Sequence, residues 1–527
     1  VVTLFHDLVT QAAERWPSAI GLKHKVATCD YAQLHSACAR FSSALVGLKL
    51  ARGDRVAVYL PKQLETALAL FGTAYAGCVF VPINPVLKPT QVRHILRDCN
   101  VRVLVTSPER LMTLKVILSD CPDLLHVVLV GEASALPTEV ASRLNVHSWT
   151  TLLSAQNTSQ SHRVIDTDIA AILYTSGSTG SPKGIVLTHR NLIAGVKSVT
   201  EYLNIDHNDR LLAVLPLSFD YGLNQLSTAF YSGATAVMLD HLFARDIVTA
   251  VAAERITGLA AVPPLWIQLA ELPWPNETSS LRYITNSGGA MPLTTLQKLR
   301  SQLPRTQVFL MYGLTEAFRS TYLAPDEVDT RPDSIGKAIP NAEVLVVRPD
   351  GTECAANEPG ELVHCGTLVA QGYWNAPELT AQRFRPAPKR NSEDCLPEIA
   401  VWSGDSVRKD AEGYLYFIGR QDELIKTSGY RVSPTEIEEF ILQTDYASEA
   451  VAFGVRHSTL GQAIVVLAVP QGVANDQALL DACRKHLPAY MVPLHLAWRD
   501  SLPRNPNGKY DRKQLAAELD TIFEPAS

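Results

Sequence analysis

The 527-residue sequence is 46% hydrophobic and 19% charged, with a formal net charge of −6. That balance suits a globular enzyme of more than one domain and offers no strongly basic surface for nucleic acid. No apolar run reaches the roughly 18 residues of a membrane span, the start VVTLFHDLVTQAAERWP lacks a basic leader, and the nine cysteines are scattered without a CxxC pair, so a cytoplasmic protein with reduced thiols and no zinc framework is expected.

Apolar spacing predicts helices over 4–16 and 31–48. A buried strand at 55–60, a helix at 63–77 and a strand at 79–83 follow, then a helix at 94–100 and a strand at 101–106. Strands separated by helices imply parallel pairing and a doubly wound sheet. Residues 132–163 are more polar and read as a connection. An apolar strand at 169–174, a glycine-rich tip and a second strand from Ile185 then form a hairpin. Thr188 is placed to cap a helix over 190–203. Strands at 211–216, 234–239, 258–262, 281–286 and 307–311 repeat the α/β alternation. From about Ser334 short strands between Gly, Pro and Asp turns suggest a small β-rich subdomain, with an exposed loop at 386–398. Past Gly419 a compact α+β tail follows. The expected architecture is therefore α/β: a large N-terminal domain, 1–418, with two doubly wound sheet subdomains and a small β-rich subdomain, and a small mobile α+β C-terminal domain, 419–527.

The hairpin tip, YTSGSTGSPKG, carries the strongest chemical signal. Its glycines let backbone N–H groups face an anion, its hydroxyls add donors and Lys183 adds charge. A flexible Gly/Ser linker does not fit between two apolar strands. A Walker A loop does not fit either, because Gly184 follows the lysine and no helix starts there. Further along, NSGGA at 286–290 follows a strand and lets a flat ligand approach closely. MYGLTE at 311–316 supplies an aromatic ring, a hydroxyl and a carboxylate. SGD at 403–405, GRQDELIK at 419–426, GYRV at 429–432 and PRNPNGK at 503–509 complete the series. Taken singly, each of these is an ordinary turn or basic loop.

In this order they resemble the motifs of the adenylate-forming superfamily: acyl-CoA synthetases, amino-acid adenylation domains and luciferases. The resemblance runs from the PINP turn near Pro82 to Lys509. It implies that Thr175, Ser176, Gly177, Ser178, Thr179, Gly180 and Lys183 hold the β- and γ-phosphates of ATP. Gly288, Gly289, Ala290 and Tyr312 would frame adenine. Thr315 and Glu316 would serve the α-phosphate and Mg2+, with Glu316 as the metal ligand. Asp405 and Arg420 would hold the ribose. Lys509 would bridge carboxylate, α-phosphate and ribose oxygen. Asp422 would be the hinge about which the small domain swings, bringing Lys426 and Gly429 forward for a thiol step.

The implied activity is an AMP-forming acid–thiol ligase that makes an acyl-adenylate and passes the acyl group to a thiol, CoA first among them. A stand-alone enzyme that adenylates an amino acid and loads a phosphopantetheinyl carrier protein in trans is the alternative, since no carrier domain follows Lys509 in this sequence. A nucleotide-binding protein without catalysis is a remote third, opposed by Lys183, Glu316, Asp405 and Lys509. The partners are a small carboxylic or amino acid and CoA or a carrier. In the segment LPLSFDYGLNQL the same resemblance implies that Phe219, Asp220, Tyr221 and Asn224 line the acyl pocket. Its SFD resembles the segment of amino-acid adenylation domains whose aspartate binds the substrate ammonium. Equally, Asp220 can cap the helix expected over 221–231. Both readings stand open on sequence alone.

Overall fold

The computed structural model describes residues 1–131, 144–154, 159–175, 182–388, 398–420, 423–427, 430–457, 460–505 and 509–523. Two wound sheets face each other across a layer of helices. The first has seven strands in the order 145–148, 126–129, 101–106, 55–59, 79–82, 169–175 and 183–188. All neighbours are parallel except the last pair, which forms the antiparallel hairpin expected around the glycine-rich tip. Strands His126–Leu129 and Asn145–Ser148 were not foreseen: each is only four residues long and lacks a clean alternation of apolar and polar positions.

The second sheet has a parallel core, Gln307–Tyr312, Tyr283–Asn286, Gly258–Ala261, Arg210–Ala213 and Thr235–Met238, joined at its far edge by Ile20–His24 from the start of the chain. On the other side it passes through Thr321–Leu323 and Ser334–Ala338 into the antiparallel strands Leu415–Arg420, Ile399–Lys409, Gly360–Gly366 and Ala342–Val347. The β-rich subdomain is thus continuous with the second wound sheet through hydrogen-bonded strands. The strand Leu415–Arg420 runs past residue 418.

The helices between the sheets form under familiar local rules. Asp30 caps Tyr31–Gly47 in a box with Gln33, and Thr188 caps His189–Leu203 in a box with Asn191. Aromatic rings join the two halves: Phe71 of Leu64–Ala76 stacks on Phe5 at 4.5 Å and meets Phe230 of Asp220–Ser232 edge-on at 5.0 Å. Buried Lys62 adds a polar tie, donating to the Val214 carbonyl at 2.8 Å and the Leu239 carbonyl at 3.0 Å.

The small domain is a five-stranded sheet, 430–432, 425–427, 461–470 and 447–457 in order, with His495–Trp498 parallel to 461–470. Ile437, Ile441, Leu479 and Cys483 of two helices pack on one face of this sheet, and Leu515 of Arg512–Glu518 packs on the other.

Candidate active site

Parallel pairing aligns the C-terminal ends of Gly258–Ala261, Tyr283–Asn286 and Gln307–Tyr312, with Ala261 opposite Asn286 and Asn286 opposite Leu310. The residues just past those ends therefore gather along one crevice, the position where wound sheets bind ligands. Asn286 steadies the first turn by donating from Nδ2 to the Gly289 carbonyl at 3.0 Å. Gly288 has φ +86°, and a Cβ there would sit 3.4 Å from Cε of Lys509 and 3.9 Å from Phe219. Gly288 thus keeps open the space between the large domain and the Lys509 side chain. Gly289 and Ala290 are exposed beside it.

The small domain brings Lys509 into this crevice. Lys509 keeps exposed surface, yet desolvation by its surroundings lowers its pKa, and the Asp220 carboxylate is the leading force in the opposite direction. Asp220 begins the helix Asp220–Ser232, whose cap position is Phe219 and carries no side-chain cap bond. The capping role open in the sequence is therefore corrected: the carboxylate turns inward. Its Oδ2 lies 2.9 Å from Arg319 Nη1, and its Oδ1 accepts from Thr315 Oγ1 at 3.2 Å. Arg319 reaches it because Phe318 takes φ +59° and ψ −57°, a strained conformation for a bulky residue. Gly195 makes room for that phenyl ring, since a Cβ there would lie 2.3 Å from it. The guanidinium also lies over the Tyr221 ring, 4.5 Å from its centroid.

Glu316 accepts from the Tyr373 hydroxyl at 2.6 Å, and Lys183 Nζ lies 5.8 Å from the centre of the Tyr373 ring. Tyr373 so links the lysine of the glycine-rich hairpin to the carboxylate expected to take a metal. Thr175 ends the first hairpin strand, paired with Lys183. Ser176, Gly177, Ser178, Thr179 and Gly180 lie outside the described residues, as do Asp422 and Gly429.

Asp405 and Arg420 face each other across adjacent strands, with Arg420 Nη1 3.5 Å from Asp405 Oδ1. The Tyr312 hydroxyl donates to Asp405 Oδ2. Burial raises the Asp405 pKa, while Arg420 and the tyrosine hydroxyl pull it down. Asp405 Oδ1 is buried without a hydrogen-bond donor, which suits a ribose hydroxyl. Lys426 is exposed on its strand, where its backbone N–H donates to Gln462 Oε1 at 2.7 Å. No described contact joins it to the residues around Lys509, so the small domain presents its Lys509 face.

Among the described residues no group of three acidic, histidine or cysteine side chains forms a metal cage. A single oriented carboxylate, Glu316, fits an ion that arrives with phosphate oxygens and needs only one or two protein ligands, as magnesium does. Sequence reading missed Arg319 and Tyr373. Arginine is mostly a surface residue, and Tyr373 joins Glu316 from 57 positions away, so neither had a local pattern to betray it.

Two wound sheets with a small α+β domain over their strand ends make up the fold of adenylate-forming enzymes. Fold comparison agrees: the anthranilate CoA ligase in complex with anthranoyl-AMP superposes with TM-score 0.87 at 23% identity over 99% of this chain and 98% of that one. The o-succinylbenzoate coenzyme A synthetase of Bacillus subtilis, solved with ATP and magnesium, gives 0.81 at 25% over 96% and 98%. The chain belongs to the AMP-binding enzyme family, whose model matches residues 9–374, with the AMP-binding enzyme C-terminal domain matching 436–509. It is 28% identical to a long-chain-fatty-acid–CoA ligase of Salmonella typhimurium, covering 98% of this chain and 94% of the relative. It is 27% identical to tyrocidine synthase 3 of Brevibacillus parabrevis over 97% of this chain, but spans only 8% of that protein's length.

Proposed function

We propose that the protein activates a carboxylic acid with ATP and transfers the acyl group to CoA. Lys509 beside the Gly288 turn is the observation that carries this reading, because a cation there supports a meeting of substrate carboxylate and α-phosphate in this crevice. Both reactants are anionic, and their approach needs concentrated positive charge. One carboxylate oxygen attacks the α-phosphorus, the bond to the bridging oxygen breaks, and pyrophosphate leaves. Lys509 screens the attacking and attacked oxygens, Thr315 turns its hydroxyl from Asp220 to the phosphate, and Asp405 with Arg420 fixes the ribose. Magnesium held by Glu316 would neutralise phosphate charge. In the second step a thiolate attacks the acyl carbon and AMP departs.

The amino-acid alternative asks Asp220 to receive a substrate ammonium. Arg319 already matches that charge within a buried pair, which favours an acid without an α-amino group. The test is ATP–pyrophosphate exchange across fatty, aryl, short polar and amino acids, followed by thioester analysis with CoA. Exchange without acyl-CoA would exclude CoA as acceptor; ATP binding without exchange for any acid would reduce the protein to a nucleotide binder.

A further inference from the structure

Beneath the helix Asp220–Ser232 lies a cavity of about 30 Å³ lined by Tyr221, Asn224, Gln225, Thr228, Thr285 and Met311, with Tyr283 and aliphatic residues completing its wall. Three of its lining residues are neighbours in sequence of residues of the reaction crevice. Thr285 precedes the turn that holds Gly288, Met311 precedes Tyr312, and Tyr221 follows Asp220. The Tyr221 and Thr285 hydroxyls bond to each other at 2.5 Å. Asn224 and Gln225 are 4% and 7% exposed, and each carboxamide keeps one atom, Nδ2 of Asn224 and Oε1 of Gln225, without a hydrogen-bond partner. Two unsatisfied carboxamides in one small cavity are unusual for a folded interior, where buried polar groups are nearly always paired. An alkyl chain would leave both unpaired. No acidic, basic or histidine side chain lines the cavity, so a charged tail would be stripped of water without a counter-ion there. A water needs about 10–15 Å³ of such space, so the cavity takes a head group of a few atoms and no long chain.

We propose that this cavity is the acyl-tail subsite and that it selects short carboxylic acids ending in an uncharged hydrogen-bonding group, a hydroxyl or a carboxamide, which pairs with Asn224 and Gln225. The proposal rests on the ligase reading and adds the substrate class to it. Shape-matched acids separate polarity from size: succinamate against isocaproate, and γ-hydroxybutyrate against valerate, with decanoate as the long apolar acid.

In pyrophosphate exchange, kcat/KM for at least one polar acid is expected to exceed that of its apolar match by about tenfold or more, because a site built to bond a polar group rejects the analogue lacking it. Asn224→Leu and Gln225→Leu are expected to reduce that ratio by about tenfold, most of the change falling in KM. The ratio is read within one preparation, so a loss of folded protein does not alter it. Equal use of each matched pair, or a preference for decanoate, overturns the proposal and leaves the ligase reading standing: the cavity then holds only water. Absence of exchange with these five acids overturns the proposal, and absence with the aryl and amino acids as well, while ATP still binds, overturns the ligase reading too.

Discussion

Arg319 Nη1 lies 2.9 Å from Asp220 Oδ2, and each side chain is only 3% exposed. The pair sits between the acyl-side helix and the Thr315 turn, and Thr315 bonds to the same carboxylate. Two opposite charges cancel at the point where an amino-acid enzyme of this family would leave one negative charge open. Nε and Nη2 of Arg319 are buried without partners, so the guanidinium depends on Asp220 for most of its compensation.

Arg319→Met should therefore destabilise the large domain by about 3–5 kcal/mol, the cost of leaving one member of a buried pair uncompensated. Adding Asp220→Asn should recover much of that loss, since removing both charges is often close to neutral. Denaturant unfolding of the two single variants and the double variant measures the coupling. In pyrophosphate exchange the Asp220→Asn variant should lose no selectivity for amino acids, because asparagine should be used no better than its des-amino analogue succinamate by the wild-type protein. A clear preference for asparagine that Asp220→Asn abolishes would return Asp220 to the role of ammonium receptor.

Lys509→Ala should abolish adenylate formation and leave thioester formation from supplied acyl-adenylate largely intact. Lys509 is beside the Gly288 turn in this orientation, whereas the thiol step is assigned to the face bearing Lys426. Each half-reaction is measured separately on folded protein. Equal loss in both would show that Lys509 supports the closed shape in general and not the first step in particular.

Tyr373→Phe should raise the magnesium concentration needed for half-maximal exchange by about 10–100-fold, the usual effect of removing a group that orients a metal ligand. The hydroxyl it deletes bonds Glu316 at 2.6 Å. A magnesium titration reads the shift. An unchanged requirement would mean that Glu316 keeps its aim without Tyr373.

Much of the frame was legible because wound sheets announce themselves in apolar runs of regular spacing. The hairpin around the glycine-rich tip and the helix capped by Thr188 matched expectation closely. The failures share a cause: contacts between residues distant in the chain. Asp220 looked like a cap because its local context suits one, and only Arg319, 99 positions away, shows why it points inward. The strand Ile20–His24 crosses to the second sheet to pair with Thr235–Met238, a partner that no local pattern specifies. The polar pair Asn224 and Gln225 was half visible: Asn224 was placed in the pocket, but a helix buried all along its length except at Tyr231, with polar residues on several faces, has no periodicity that marks Gln225 as its companion.

Asp422→Pro should leave pyrophosphate exchange near normal and sharply reduce thioester product. Proline fixes φ near −65° and so removes the rotation assigned to a hinge. The residue follows the strand end at Arg420 and precedes the sheet of the small domain, a junction where a rotation would carry Lys509 away and Lys426 in. Exchange and acyl-CoA production measured in parallel decide it. Unchanged overall turnover would place the hinge elsewhere.

Glu439 should make docking of the small domain pH-dependent. It lies on the helix Pro434–Gln443, which packs against the strand Leu415–Arg420 and the helix Leu293–Gln302 of the large domain. Burial, then the carboxylates of Asp333 on the large domain and of Glu438 and Glu436 on its own helix, push its pKa up to about 7 from 4.5. Glu438 is itself paired with Arg512, so its counter-charge is engaged. The docked form therefore holds a proton that the undocked form releases. By linkage, docking is strongest below the undocked carboxyl's pKa, weakens as pH rises from about 4.5 to 7, and is flat above that, where both forms are ionised. Glu439→Gln fixes the uncharged state, so the variant should stay compact at pH 8.5, where the wild-type protein opens, and lose the slope between about pH 4.5 and 7. Small-angle scattering across that range, with the exchange rate followed alongside, measures both. A variant that keeps the wild-type slope would show that another group governs docking, and a wild-type protein equally compact at both ends of the range would show that Glu439 stays solvated when the domains meet.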